Sequence, residues 1–372
     1  MKKIVMGIAA LACAASMFAV DFAARNVLSG SIAGGDKDSF YIWKLNERDQ
    51  KDADALVLSV NTDNAGAKMQ FWYKYDGKGA APLNVRNTSI WFKPIDMIKV
   101  TVGDISTKLF GETLHYWKDP VGNKIGQGWN GYSGYGTIEQ AGVQIDVTPI
   151  DGLLITAGIA AGTNENFVSF KKDVDPVVKA WGAGVKYDLN GIAGIPLAVG
   201  VEFRSAGTKA ENVLGIGATY GARYAEGFYA MVEARLRMNE GDSGKLDGIT
   251  INNHFRFAAG PFEAQLRAPV TIRTSGKDDD PSWLTYSAQV SYALDGFTPY
   301  LLFGSDPVGN GKAYALSDKF ADYFGIEIKP GVRFNVGAAS FDIAALIDIA
   351  PKYGAESNSV AWSVPFELTL VF

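Results

Sequence analysis

The sequence holds one cysteine and two histidines in 372 residues. Past its first stretch it has no apolar run near the roughly 18 residues that a spanning helix needs. That absence excludes a helical inner-membrane protein. His115 and His254 leave little for acid–base catalysis, which requires a base placed beside a nucleophile or an activated water, so no enzyme is expected. With 35 Lys and Arg against 40 Asp and Glu, no nucleic-acid partner is expected either. What the chain does have is 47% hydrophobic residues, 12% aromatics and 42 glycines, a composition suited to β-sheet with tight turns.

The first residues read as an address. Lys2 and Lys3 precede an apolar stretch over residues 4–15, and small residues lead to a cut after Ala19. This reading makes 1–19 a signal peptide and 20–372 the mature domain. Cys13 follows Leu11 and Ala12, a weak likeness to a lipoprotein cleavage box, but it sits inside the apolar region itself. If Cys13 leaves with the signal the mature chain has no thiol, which suits an oxidising periplasm. Losing Lys2 and Lys3 leaves 33 basic against 40 acidic residues, a net charge of −7.

The decisive signal is alternation. A strand between lipid and water carries apolar side chains on one face and is free to carry polar ones on the other. Phe228, Ala230, Val232, Ala234, Leu236 and Met238 oppose Tyr229, Met231, Glu233, Arg235 and Arg237. Ile249, Ile251, Phe255 and Phe257 then oppose Thr250, Asn252, His254 and Arg256, with Asn253 as a blemish on the apolar face. The pattern returns around residues 197–204, 262–273 and 284–292. A one-residue slip of the segment from Phe228 turns Arg235 and Arg237 toward lipid, at about 2–4 kcal/mol each near the midplane.

Short turns and longer polar stretches also alternate along the chain. Turns are expected near Asn64, Pro94-Ile95-Asp96, Pro149-Ile150-Asp151, residues 190–195, Ala225-Glu226-Gly227, Gly260, Asp295-Gly296 and Ala338-Ala339. Loops are expected at 34–54, 76–84, 106–135, 162–176, 206–211, 239–246, 275–282, 306–320 and 351–357. Together they predict an all-β, transmembrane antiparallel meander β-barrel of about 16–18 strands, with 18 the best count and strands of about 9–12 residues. Pro269, Pro330 and Pro365 fall inside proposed strands and are read as local bulges.

The chain ends with Trp362, Val364, Phe366, Leu368, Leu370 and Phe372 on one face and Ser363, Glu367 and Thr369 on the other. This amphipathic last strand ending in Phe resembles the C-terminal signature of Gram-negative-type outer-membrane β-barrel porins, which implies recognition by the barrel-assembly machinery and an outer-membrane location. Val20-Asp21-Phe22-Ala23-Ala24-Arg25-Asn26-Val27 and Trp91-Phe92-Lys93-Pro94 also resemble porin-like proteins of spirochaetes such as Treponema.

A barrel of this size leaves an aqueous channel unless it is plugged. The polar faces nominate Glu202, Arg204, Glu233, Arg235, Arg237 and His254 as pore-lining residues, followed by Arg256, Glu263, Arg267, Arg273, Glu327 and Arg333. Arg outnumbers Glu among them, which points to a mild preference for anionic or polar neutral solutes. The plainer alternative is that these charges hydrate the lumen and pair across strands. The longest connection, 106–135, holds the constriction-loop candidates Tyr116, Trp117, Trp129, Tyr132 and Tyr135 among many glycines. Its acidic residues, Glu112 and Asp119, are outnumbered by Lys108, Lys118 and Lys124, so the acidic motif of such loops is missing. Asp278, Asp279 and Asp280 offer hard oxygen ligands, but a solvated loop is the default, and no metal or cofactor is assigned.

The resulting expectation is a porin for passive diffusion of small hydrophilic solutes. The alternatives are a surface-interaction or structural barrel with a closed lumen and a transporter of hydrophobic compounds. The partners implied are outer-membrane lipid, the solutes, the assembly machinery and, as an open alternative, two further copies in a homotrimer.

Overall fold

Alternation along the sequence becomes two faces of one closed sheet in the computed structural model, which describes residues 20–36, 39–45, 55–73, 83–107, 109–110, 139–160, 168–169, 177–178, 180–205, 212–239, 245–273, 283–284, 286–304, 326–350 and 359–371. The signal-peptide residues, the five aromatic loop candidates, His115, the Asp278 run and Phe372 lie outside the described residues.

The first crossings are β1 (Val20–Gly35), β2 (Phe40–Leu45 and Ala55–Asn61), β3 (Ala65–Tyr73), β4 (Leu83–Ile95), β5 (Ile98–Ser106) and β6 (Glu139–Val147). Next come β7 (Leu153–Ala160), β8 (Ala180–Asp188), β9 (Leu197–Ser205), β10 (Asn212–Tyr220), β11 (Gly227–Asn239) and β12 (Lys245–Ala259). The last are β13 (Phe262–Arg267 and Val270–Arg273), β14 (Trp283–Leu284 and Ser287–Tyr292), β15 (Phe297–Gly304), β16 (Ile326–Val336), β17 (Ala339–Ala344 and Leu346–Ala350) and β18 (Ser359–Val371). Every consecutive pair is antiparallel, and β18 returns to β1 with Arg25 opposite Val371 and Gly30 opposite Phe366. The result is a closed antiparallel barrel of 18 strands, as the turn count predicts. Closure gives every strand two neighbours, the one way a sheet satisfies its backbone in lipid.

The outward residues are the apolar set read from the sequence. Phe228 is 51% exposed, Val232 43% and Leu266 42%, while their neighbours Tyr229, Glu233 and Arg267 are buried. Short connections close one end of the barrel at the expected places. Hairpins at Gly260 and Asp295-Gly296 put glycine at φ 53° and 79°, values that a side chain disfavours.

Several boundaries differ from the expectation. The first loop is not a loop from 34 to 54: Phe40–Leu45 pairs with Gly30–Gly35 through a tight turn in which Ser39 N–H donates to Asp36 Oδ1 at 2.7 Å. Alternation is weak in the Gly-rich end of β1, so the hairpin is hard to read. The turn placed at Ala338-Ala339 is at Gly337-Ala338, with Ala339 already in β17. Strands also run longer than 9–12 residues, with 15 in β12 and 16 in β1.

Of the three prolines, only Pro365 adjoins a register shift, between Ser31 and Gly34 on the facing strand. Pro330 lies in an unshifted ladder between Leu301 and Ala345, and its carbonyl accepts the Ala345 N–H at 2.9 Å. The β12–β13 register is likewise the same on both sides of Pro269. The bulge reading is therefore wrong for these two. Pro330 keeps its carbonyl bonded and forfeits one donor, which interrupts β17 at Ala345 without inserting a residue.

Candidate functional site on the inner wall

The inner face of β9 to β13 carries most of the expected pore-lining side chains. Glu202 on β9 and Glu233 and Arg235 on β11 are buried, with Arg204 and Arg237 half-buried toward the long-loop end. His254 and Arg256 on β12 and Arg267 on β13 are also buried, and Glu263 is half-buried. On β16, Glu327 is buried and Arg333 exposed. Arg273 stands opposite Gly248, but its side chain is outside the described set.

Two groups form from these residues. In the first, Arg235 Nε lies 2.9 Å from Glu233 Oε1, and Arg235 Nη2 lies 3.8 Å from Glu202 Oε1. The second contact crosses an entire strand. Gly215 on β10 stands opposite both Glu202 and Arg235, and a Cβ there would come within 2.9 Å of Glu202 Cγ. The missing side chain is what lets the two charges meet. Asn252 Nδ2 adds a bond of 3.2 Å to Glu233 Oε2.

The second group lies toward the short-turn end. Arg256 donates Nε and Nη2 to Glu263 Oε2 at 2.9 and 2.6 Å, and Nη1 to the Ala225 carbonyl at 2.7 Å. Gln265 bonds Glu263 and lies 3.0 Å from His254 Nε2. Further round, Arg333 Nη2 is 3.1 Å from Asp342 Oδ2, and Tyr300 Oη donates to Asp342 Oδ1 at 2.5 Å. His254 lies on the wall 3.0 Å from Gln265 Oε1 and edge-on to Tyr229 at 5.5 Å.

The start of the long 106–135 connection turns inward. Ser106 N–H donates to Gln144 Oε1 on β6 at 3.0 Å, and Leu109 N–H donates to Glu202 Oε2 on β9 at 3.0 Å. Between and beyond these bonds Ile105, Thr107, Leu109 and Phe110 are buried in a lane of inner-face glycines. A Cβ at Gly158 would meet Thr107 Cγ2 at 2.8 Å, at Gly184 Leu109 Cδ1 at 2.5 Å, and at Gly200 and Gly217 the Phe110 ring at 2.9 and 2.8 Å. The lane is a signal that sequence reasoning passed over. Trp181-Gly182-Ala183-Gly184 and Leu214-Gly215-Ile216-Gly217 place glycines two apart, hence on one face.

Other wall residues escaped the sequence reading as well. Lys329 is 1% exposed between Glu327 and Arg333, with Nζ 5.8 Å from the Tyr300 ring, and Asp342 alternates with Phe341 and Ile343. Pro330 interrupts the period of two in this stretch of sequence. Gln144, Asp146 and Thr156 make a further node, with Thr156 Oγ1 donating to Asp146 Oδ1 at 2.7 Å. Among the described residues no cluster of three or more His, Cys, Asp or Glu is placed to hold a metal ion.

An apolar belt outside, a charged and hydrogen-bonded wall inside, and the first residues of the long connection resting on that wall define an outer-membrane channel barrel. A family model described as "Gram-negative porin" matches residues 9–298, and the chain belongs to that family. No curated protein sequence matches the chain. Among solved structures it is similar to opdK of Pseudomonas aeruginosa, at 11% identity and TM-score 0.52 over 95% of this chain and 99% of that one. It is also similar to OccK2 (OpdF), at 12% identity and TM-score 0.53 over 95% and 97%, and to OprD, at 11% identity and TM-score 0.52 over 95% of each, both from the same organism. At these identities the likeness is one of fold. The porin family and the barrel define a bacterial outer-membrane channel through which small solutes diffuse passively.

Proposed function

We propose that the channel favours small anionic and polar neutral solutes, drawn along the inner wall of β9 to β13. The observation that carries this is the charge on that wall at mid-height and above. Arg204, Arg235, Arg237 and Arg267 bring four guanidinium groups against the two carboxylates of Glu202 and Glu233. Those carboxylates also accept from Asn252 and the Leu109 amide, and the guanidinium groups outnumber them two to one. A charged wall beside low-dielectric barrel atoms concentrates the opposite ion. Two of the fold neighbours were crystallised with vanillate and with glucuronate, each a carboxylate. The mechanism is diffusion through a lined hole, with no covalent step and no cofactor.

In this reading the 106–135 connection narrows the lumen, supported by the inward course of Ile105, Thr107, Leu109 and Phe110 and the two backbone bonds that hold it. Residues 1–19 are a signal peptide removed before the barrel forms, and the last strand addresses the chain to the assembly machinery. The likeness of residues 20–27 and 91–94 to spirochaete proteins, and assembly as a homotrimer, rest on the sequence alone.

The test is to refold the chain from Val20 and record single-channel currents in a planar bilayer under asymmetric salt. Stable steps with an anion-selective reversal potential are expected. Cation selectivity would overturn the solute preference, and a folded but silent barrel would overturn the open channel.

A further inference from the structure

At the short-turn end the inner wall of β12 to β16 and the turn before β11 line a half-open cavity of about 510 Å³. That is ample for a small solute. Its arginines are paired with carboxylates, and its remaining acid is held by a backbone amide. Arg256 spends its donors on Glu263 and the Ala225 carbonyl, Arg333 is paired with Asp342, and Glu226 accepts the Gly260 N–H at 3.2 Å. Beside them the lining presents uncharged polar groups, the Gln289 amide and the Ser291 and Thr298 hydroxyls. These groups both donate and accept. At the edge of the cavity Tyr224 is 82% exposed, with the Arg223 guanidinium 5.0 Å from its ring centroid, so one face is covered and the other is open.

We propose that this cavity is a subsite for an uncharged polyhydroxylated solute of mono- or disaccharide size. Each sugar hydroxyl both donates and accepts, which matches an amide and hydroxyls better than it matches a bare cation or carboxylate. A sugar ring also has an apolar face, and an open tyrosine face accommodates it. An anion finds both arginines of the lining paired with carboxylates here. The subsite rests on the channel reading for its place on a solute path, but its binding is measurable without any current.

The experiment is saturation-transfer NMR on the barrel refolded from Val20 in lauryldimethylamine oxide, which has no sugar headgroup, with maltose as probe and sodium glucuronate as competitor. Transfer to maltose is expected, with half-saturation on the order of millimolar. Tyr224→Ala and Gln289→Ala, each checked for a heat-modifiable folded barrel, should lower affinity by roughly fivefold, the equivalent of one lost hydrogen bond or one lost ring contact. Absence of transfer overturns the subsite, as does transfer that both variants leave unchanged. Displacement of maltose by glucuronate at a much lower concentration also overturns it. A barrel that conducts without binding maltose loses the subsite and keeps the channel; one that binds maltose without conducting does the reverse.

Discussion

The carboxamide of Asn253 on β12 holds both backbone groups of Ala268 on β13, accepting its N–H at 2.8 Å and donating to its carbonyl at 2.7 Å. The ladder between these strands is interrupted there, because Pro269 is the next residue, yet the register on either side is unchanged. Asn253 thus stands in for the missing backbone bonds on a face turned to lipid, where an unpaired amide is costly. The one polar blemish in that strand's apolar pattern is structural. Asn253→Ala should destabilise the barrel by about 2 kcal/mol by orphaning an N–H and a carbonyl. The midpoint of urea unfolding in lipid vesicles measures this, and an unchanged midpoint rejects the role.

Phe110 sits in the space that Gly200 and Gly217 leave open. Gly217→Leu and Phe110→Ala should each loosen the start of the inward connection, raising single-channel conductance and the frequency of current flicker. If both variants conduct like the parent, the segment does not restrict the pore.

Replacing Arg235, Arg237 and Arg267 together by Gln removes three positive charges from the wall of β11 and β13. The reversal potential under asymmetric salt should move toward cation selectivity. No movement would reject these residues as the source of anion preference.

Val232, 43% exposed on the lipid face of β11, provides a check on the assignment of faces. Val232→Arg should cost about 2–4 kcal/mol if it lies near the bilayer midplane, whereas Thr219→Arg on the inner face of β10 should cost little. Equal penalties in a refolding titration would mean that the inward and outward sets are exchanged.

Removal of Phe372 should lower the amount of folded barrel in the outer membrane of cells while leaving refolding of the purified chain into detergent or lipid intact. A matching loss in both assays would show that the residue serves stability rather than targeting.

Much of this was legible from local pattern. The period of two in residues 228–238 and 249–257 fixes which side chains face lipid, since a helix mixes the two sets and a shifted register puts the charged one in lipid. The long loops were the least legible, because they carry neither period nor turn chemistry. Pro269 and Pro330 misled, because a proline shows that a donor is missing but not how its neighbours adjust. The glycine lane was written in the sequence as residues two apart on β8 and β10, but it had no meaning without the chain that lies on it.

By itself, then, the sequence determined the class of fold, which follows from side-chain alternation within single strands, and the strand count, which follows from the alternation of short turns with longer polar stretches. Only the tertiary structure decided that Glu202 meets Arg235 across Gly215, that Leu109 N–H finds Glu202, and that Phe110 rests on Gly200 and Gly217. Those contacts join residues on different strands and depend on register and closure, which no single strand's pattern contains.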